Sequence, residues 1–376
     1  MTTLRVIVDE MLNPLPGGSS RYSEELSRQL IAVAPPGCSV EGIVSASTEA
    51  EYESLEARLP GLGGMYKSAL ARRELMLAWQ HGFTRLPRGG MVHSPSLLAP
   101  LYRHDRLNNL GEQTIVTIHD ALPWTHPESL GARVAGWHVS MAKRAHRYAD
   151  AVVVPTHAVA VRLREFLDFG DRIRVIGGAA STKLTRPVDA DERATRLGLY
   201  GRYLLAFGGL EPVRGNDQII RALAQVHPDV TLLFVGAVNP DELATIATEA
   251  GVAPDRVRSL GRLGDADLSV ALDRAAALVM ASEEDGFGLP ILEAFTFGTP
   301  VIHSDAAALV EVAADAGVTV ELADRASFPG RLADAIRAVL DDPALADRLG
   351  IYGADRARAY SWRNSAEKVW QLHADL

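Results

Sequence analysis

A single cysteine, Cys38, stands among 376 residues, which excludes an intrachain disulfide and a cysteine-ligated zinc site. It reads as a small structural residue. No apolar run approaches the ~18 residues that a membrane span needs. Positive charge is scarce too. The net charge is −9, with 20 Lys and Arg against 18 Asp and Glu in residues 1–185 and 18 against 29 in residues 186–376. Neither half is basic enough to make nucleic acid the expected partner, and the split suits two domains with different ligands. The opening M-T-T-L-R-V-I-V-D lacks the basic start, apolar stretch and cleavage site of a signal peptide and already reads as a strand. The expected location is therefore the cytoplasm. Short repeats and low-complexity segments are absent as well.

The composition that remains, 47% hydrophobic, 23% charged and 6% aromatic, is that of an ordinary globular chain, long enough for two domains. Short Val/Ile/Leu runs alternate with longer helical patterns. L-R-V-I-V-D, V-E-G-I-V-S-A, T-I-V-T-I-H-D, A-V-V-V-P-T and R-I-R-V-I-G-G fill the first half. Y-L-L-A-F-G-G, V-T-L-L-F-V-G, V-R-S-L-G, A-L-V-M-A-S and T-P-V-I-H fill the second. Nearly continuous apolar strands are those of parallel sheets covered on both faces, which makes the fold class α/β. Between Ser181 and Glu192 the apolar periodicity stops. A domain boundary is expected there, giving domains 1–185 and 186–355 with a terminal helix over 356–376.

Residues 280–301, M-A-S-E-E-D-G-F-G-L-P-I-L-E-A-F-T-F-G-T-P-V, crowd acids around two glycines where a helix begins. Ala277–Ala281 reads as a buried strand, Ser282–Gly288 as a loop and Leu289–Phe297 as a helix, with Pro290 in its first turn and Gly298 at its end. Loops at the carboxyl ends of parallel strands are where open α/β folds bind ligands. The amides of Gly286, Phe287, Gly288 and Leu289 would face the crevice and, with the helix dipole, favour an anion such as a diphosphate. Asp285 and Glu293 would repel that anion, so they fit better as acceptors for hydroxyl groups beside it. A diphosphate flanked by hydroxylated rings is a nucleotide sugar. The plain alternative is that Asp285 only caps the helix.

D-G-F-G-L-P-I-L-E-A-F-T-F-G-T-P-V resembles the signature of the retaining glycosyltransferases of family four, which have the GT-B fold. The resemblance runs along the chain through P-G-G-S-S-R-Y, V-H-S-P, T-I-H-D-A-L-P-W-T-H-P-E, A-D-A-V-V-V-P-T-H-A-V-A, G-G-L-E-P and the terminal Y-S-W. It implies two Rossmann-like domains facing a central cleft: an acceptor-side domain, a nucleotide-sugar domain, and a last helix crossing back onto the first. It also implies that Gly17 and Gly18 lie near the donor phosphate and acceptor, and that His119 lies beside the donor sugar and the acceptor hydroxyl. Gly209 and Arg214 would meet the donor diphosphate, with the base near Gly261–Leu263. Ser19 or Ser20 is the expected N-cap of the helix after Gly17 and Gly18.

Two positions depart from the family pattern. Relatives usually carry Glu where this chain has Asp285, shorter by roughly 1.5 Å of bond length, and a basic pair where it has Val213 and Arg214. One cation, Arg214, is left to stabilise charge on a leaving diphosphate. D-A-D occurs at Asp189–Asp191 and at Asp265–Asp267. Both sites read as helix starts, so no metal and no other cofactor is expected. The resemblance implies front-face substitution with retention, since no residue is an evident covalent nucleophile.

The closest resemblance is to bacterial polysaccharide mannosyltransferases, which points toward GDP-mannose as donor and a glycan or lipid-linked acceptor. G-M-Y-K-S-A-L-A-R-R-E-L-M-L-A-W and W-H-V-S-M-A-K-R-A-H-R-Y mix bulky apolar residues with Lys67, Arg72, Arg73, Lys143, Arg144 and Arg147. Such segments suit peripheral contact with the inner face of an anionic membrane, or else solvated helices with an apolar core face. A non-catalytic nucleotide-sugar binder and another GT-B enzyme, an epimerase or a phosphorylase, are the competing readings.

Overall fold

The computed structural model describes residues 2–13, 17–84, 90–105, 108–109 and 111–376. The chain divides into two units, residues 1–178 with 361–376, and residues 179–360. The division falls before the Ser181–Glu192 stretch because Leu184, inside that stretch, is already buried in the core of the second unit. Residues 356–358 end the helix Pro343–Arg358, so the segment that joins the first unit starts at Ser361 rather than 356.

Among the described residues the first unit holds a seven-stranded sheet of β1 (Thr2–Ile7), β2 (Cys38–Ala46), β3 (Met65–Ala71), β4 (Met91–Ser94), β5 (Gln113–Thr117), β6 (Ala151–Val154) and β7 (Ile173–Val175). Their order is β3-β2-β1-β4-β5-β6-β7. The second unit holds six strands, β8 (Tyr203–Phe207), β9 (Thr231–Val235), β10 (Val257–Gly261), β11 (Ala277–Met280), β12 (Val301–Ser304) and β13 (Val318–Val320). Their order is β10-β9-β8-β11-β12-β13. Every neighbouring pair is parallel. Strand order reverses between β1 and β4 in one sheet and between β8 and β11 in the other. These reversals are the switch points at which such sheets open a crevice.

The apolar runs mark strands because both sheet faces are covered. In the second sheet Leu204, Ala206, Leu232, Phe234, Ala277 and Val279 pack under the helices Asn216–Leu223 and Phe328–Asp341. Their neighbours Leu205, Leu233, Leu278 and Met280 point the other way, under the helices Asp265–Asp273 and Leu289–Thr296. This alternation is the two-residue period of a strand, with both faces apolar.

The last helix, Trp362–Asp375, closes the first unit. Ser361 caps it by accepting from the Asn364 amide, and Trp362 and Trp370 are buried. Trp370 Nε1 donates to the Leu30 carbonyl at 3.0 Å, Ser365 Oγ to the Gly177 carbonyl at 2.6 Å, and His373 Nδ1 meets Gln113 Oε1 at 2.9 Å.

Candidate active site

In the second unit, the loops that carry the sequence motifs leave β8 and β11, the two strands at the switch point. After β8 the chain turns through a short 3-10 segment, Pro212–Arg214, into the helix Asn216–Leu223. Asn216, buried, fastens this turn by donating from Nδ2 to the carbonyls of Phe207 at 3.0 Å and Gly209 at 2.6 Å. Gly215 has φ +63°, and a Cβ there would sit 2.2 Å from the Ala281 carbonyl oxygen. Only glycine lets the two loops come this close. Val213 is buried, and its carbonyl accepts the Glu283 amide at 2.7 Å. The apolar residue at the position where relatives carry arginine is thus packed inward. Arg214 beside it is half exposed, with Nε 3.3 Å from Glu211 Oε2.

After β11 the acidic loop folds differently from the expectation that its amides are open to an anion. Asp285 Oδ1 accepts from the amides of Phe287 and Gly288, both at 3.1 Å. Asp285 therefore caps the turn, and two of the four expected amides are engaged. A carboxylate three residues before the αL turn at Gly288 reaches those donors without strain. Gly288 precedes the helix Leu289–Thr296 with φ +73°, where a Cβ would meet Leu309 at 2.7 Å. Glu293 is 2% exposed on that helix, and Phe287 is buried at its start. Leu263, beyond the end of β10, is half buried against the same core.

Gly17, Gly18 and His119 belong to the first unit. Residues 14–16 of the loop after β1 lie outside the described residues. The helix Gly18–Ala32 has Gly17 at its N-cap and no side-chain cap, contrary to the expected Ser19 or Ser20. Ser20 Oγ instead donates to the Glu10 carbonyl at 2.8 Å. His119 follows β5. Its Nε2 lies 2.8 Å from the Pro95 carbonyl, which can only accept. Nε2 therefore carries the proton and Nδ1 the lone pair. Burial pushes its pKa down to about 4, with His138 nearby adding to the shift against the Pro95 bond. The ring is neutral at ordinary pH and presents an acceptor.

Other groups gather at this edge without a motif to announce them. Arg72 Nη1 donates to Asp9 Oδ2 at 2.6 Å and Nη2 to Glu10 Oε1 at 3.0 Å, while Asp9 Oδ1 accepts the Ser45 amide at 2.8 Å. The acids D-E directly after the first strand were the available signal. Thr156, another strand end, accepts the Val159 amide and caps the helix His157–Arg164.

Neither D-A-D pair gathers its acids around a shared site. Asp189 and Asp267 pair with Arg193, Asp267 also with Arg196, and Asp191 with Arg274. Among the described residues no group of three or more His, Cys, Asp or Glu is placed to hold a metal. The first basic segment is not one amphipathic helix: Met65–Ala71 is the edge strand β3, and only Arg72–His81 is helical. Lys67 pairs with Glu49 and Arg72 with Asp9, whereas Arg73, Lys143 and Arg147 are exposed. Arg144 donates to the Leu101 carbonyl. No described helix is long and apolar enough to cross a membrane.

Comparison with known proteins matches both halves. Residues 16–183 match the model "Glycosyltransferase Family 4", and residues 189–356 match "Glycosyl transferases group 1". A D-inositol 3-phosphate glycosyltransferase 1 of Catenulispora acidiphila is 30% identical over 218 residues, 54% of this chain and 51% of that one. The chain thus spans about half the length of that relative. A D-inositol 3-phosphate glycosyltransferase of Nocardioides sp. is 26% identical over 95% of this chain and 85% of its own. Among solved structures, sucrose-phosphate synthase from Thermosynechococcus elongatus superposes with TM-score 0.75 at 21% identity, over 100% of this chain and 99% of that one. That likeness bears on the fold. A family-four glycosyltransferase model thus matches residues 16–183 and a group 1 glycosyltransferase model residues 189–356, and with two parallel-sheet units and a whole-chain structural match the chain has the GT-B fold of glycosyltransferases.

Proposed function

We propose that the chain transfers a hexose from a nucleoside diphosphate sugar to an acceptor hydroxyl, with retention of configuration and without a metal. One observation carries the reading. Both motif loops leave the strands flanking the switch point of the second sheet, and the Glu283–Val213 bond holds Arg214 and Asp285 on adjoining loops there. In this reading Arg214 stabilises charge arriving on the leaving diphosphate. Glu293 and the free side of Asp285 bind hydroxyls, and Gly209, Leu263 and Leu289 line the path of the donor. His119 offers Nδ1 as the acceptor of a hydrogen bond that orients a hydroxyl without taking its proton. The anomeric C–O bond to the diphosphate breaks as the bond to the acceptor oxygen forms, and the acceptor proton passes to the departing phosphate.

GDP-mannose is the first donor to try. Glycans, lipid-linked glycans and, because the relatives are named for D-inositol 3-phosphate, cyclic polyol phosphates are the first acceptors. The exposed Arg73, Lys143 and Arg147 support peripheral contact with anionic lipid, which cosedimentation with phosphatidylglycerol vesicles tests. The substitution of an apolar residue for arginine at Val213 favours one competitor, a protein that binds nucleotide sugar without turning it over. Calorimetric titration with GDP, UDP and dTDP, then with their sugars, decides. Selective binding that weakens about 10- to 100-fold in Arg214→Ala supports a donor site, and turnover of any donor removes the binder. No binding by any nucleotide overturns the reading.

A further inference from the structure

The loops after β8 and β11 border a pocket of ≈ 300 Å³ that is open to solvent, whose lining includes Gly215, Gln218, Ala281, Glu283 and Leu322. Arg325 also lines it, from the segment between β13 and the helix Phe328–Asp341. Its guanidinium pairs with the Glu283 carboxylate, and Nη2 stands 3.7 Å from Asp217 Oδ1 in the first turn of the helix Asn216–Leu223. Glu283 in turn donates its amide to the Val213 carbonyl. One arginine from a third loop thus pairs with an acid of the loop after β11 and stands beside one in the helix that follows the loop after β8.

We infer that Arg325 is a positioning residue of the donor site: through Glu283 and Asp217 it ties the Ser282–Gly288 loop to the Pro212–Arg214 turn and so fixes the spacing of Asp285 and Arg214. The inference rests on the donor-site reading given above. The Ser304 hydroxyl, bonded to the Ser282 carbonyl, and the Glu283–Val213 backbone bond hold the root of the loop, and the ion pair joins the Glu283 side chain to the third loop. The Arg325 and Glu283 side chains are 51% and 33% exposed, so the pair adds little to global stability. Its loss is felt as local opening.

Hydrogen exchange over residues 282–288 of the full chain reads this brace without any ligand. Arg325→Ala and Glu283→Gln should each speed exchange there about 10-fold, the double variant no more than either alone, and Arg325→Lys little. Amides of β8 and β11 should not change. Unchanged exchange at 282–288 in Arg325→Ala, additive effects in the double variant, or an equal rise in β8 would each overturn the inference. In parallel, GDP and UDP are titrated into wild type and variants. Arg325→Ala should bind about 10-fold more weakly, with Arg325→Lys restoring most of the affinity. Wild type that binds neither nucleotide overturns the donor-site reading and leaves exchange to judge the brace. Wild type that binds while Arg325→Ala binds equally well overturns the positioning role.

Discussion

The ring of Tyr22 stands edge-on to that of His119, with centroids 4.8 Å apart, and edge-on to Trp362 on its other side at 5.2 Å. Tyr22, backed by Trp362 of the last helix, therefore packs against the imidazole that the Pro95 carbonyl orients. His119→Ala should lower kcat by about 100-fold or more if Nδ1 meets a reacting hydroxyl, while donor affinity changes little. Equal losses in kcat and in nucleotide binding would show a structural role instead.

Two functions of Asp285 can be separated. Asparagine keeps an oxygen for the Phe287 and Gly288 amides, whereas alanine removes it. Asp285→Ala should cost about 1 kcal/mol or somewhat more of stability, and Asp285→Asn much less. Both should depress kcat/KM if the carboxylate also binds the sugar. Thermal melts alongside initial rates check this, and an Asp285→Asn enzyme with wild-type rates would reduce Asp285 to a cap.

Much of the fold was legible because its strands are apolar on both faces. The runs that become β5, β6, β8, β9, β11 and β12 carry no Asp, Glu, Lys or Arg, and those of β1, β2, β7 and β10 set one charged residue among apolar ones. β3 is an edge strand whose side chains are largely exposed, β4 reads Met-Val-His-Ser, and β13 is three residues long. None of these carries a periodic signal long enough to detect. Placement of the motif loops at strand ends was legible from the sequence, but their hydrogen bonding was not. That Asp285 turns back on its own loop, and that Arg325 reaches it from far along the chain, depends on tertiary approach.

Acid should weaken the first unit. His93 is fully buried, its ring nitrogens have no hydrogen-bond partner among the described residues, and burial pushes its pKa down to about 3. His373, 5.8 Å away by ring centroids, is lowered in the same way. An unfolded histidine takes up a proton near pH 6.5 and folded His93 only near 3, so stability is complete above about pH 6.5 and falls as the pH drops toward 3. All five tryptophans, Trp79, Trp124, Trp137, Trp362 and Trp370, lie in this unit. Their fluorescence in urea should show a midpoint that falls between pH 7 and pH 4. His93→Leu should flatten that slope, and a slope unchanged in the variant would refute the assignment.

Gly215→Ala should be costly for its size. The methyl group would overlap the Ala281 carbonyl in a backbone conformation that L-residues avoid, for a loss of roughly 1 to 3 kcal/mol. Nucleotide binding should fall with it, since both motif loops must part. Denaturant melts of Gly215→Ala and of an exposed control, Gly201→Ala, make the comparison. Equal stability of Gly215→Ala and wild type would mean that the loops relax freely.

The last helix fills part of the first unit through Trp370, Ser365 and His373. A ribosome makes those residues only after all of the second unit. The sheet assembled earliest must therefore wait, with the surface that receives Trp370 still open, until residues 361–376 have been synthesised. A chain cut off before Ser361 would hold a finished second unit and an unfinished first one, and the part translated first would be the part most exposed to proteolysis.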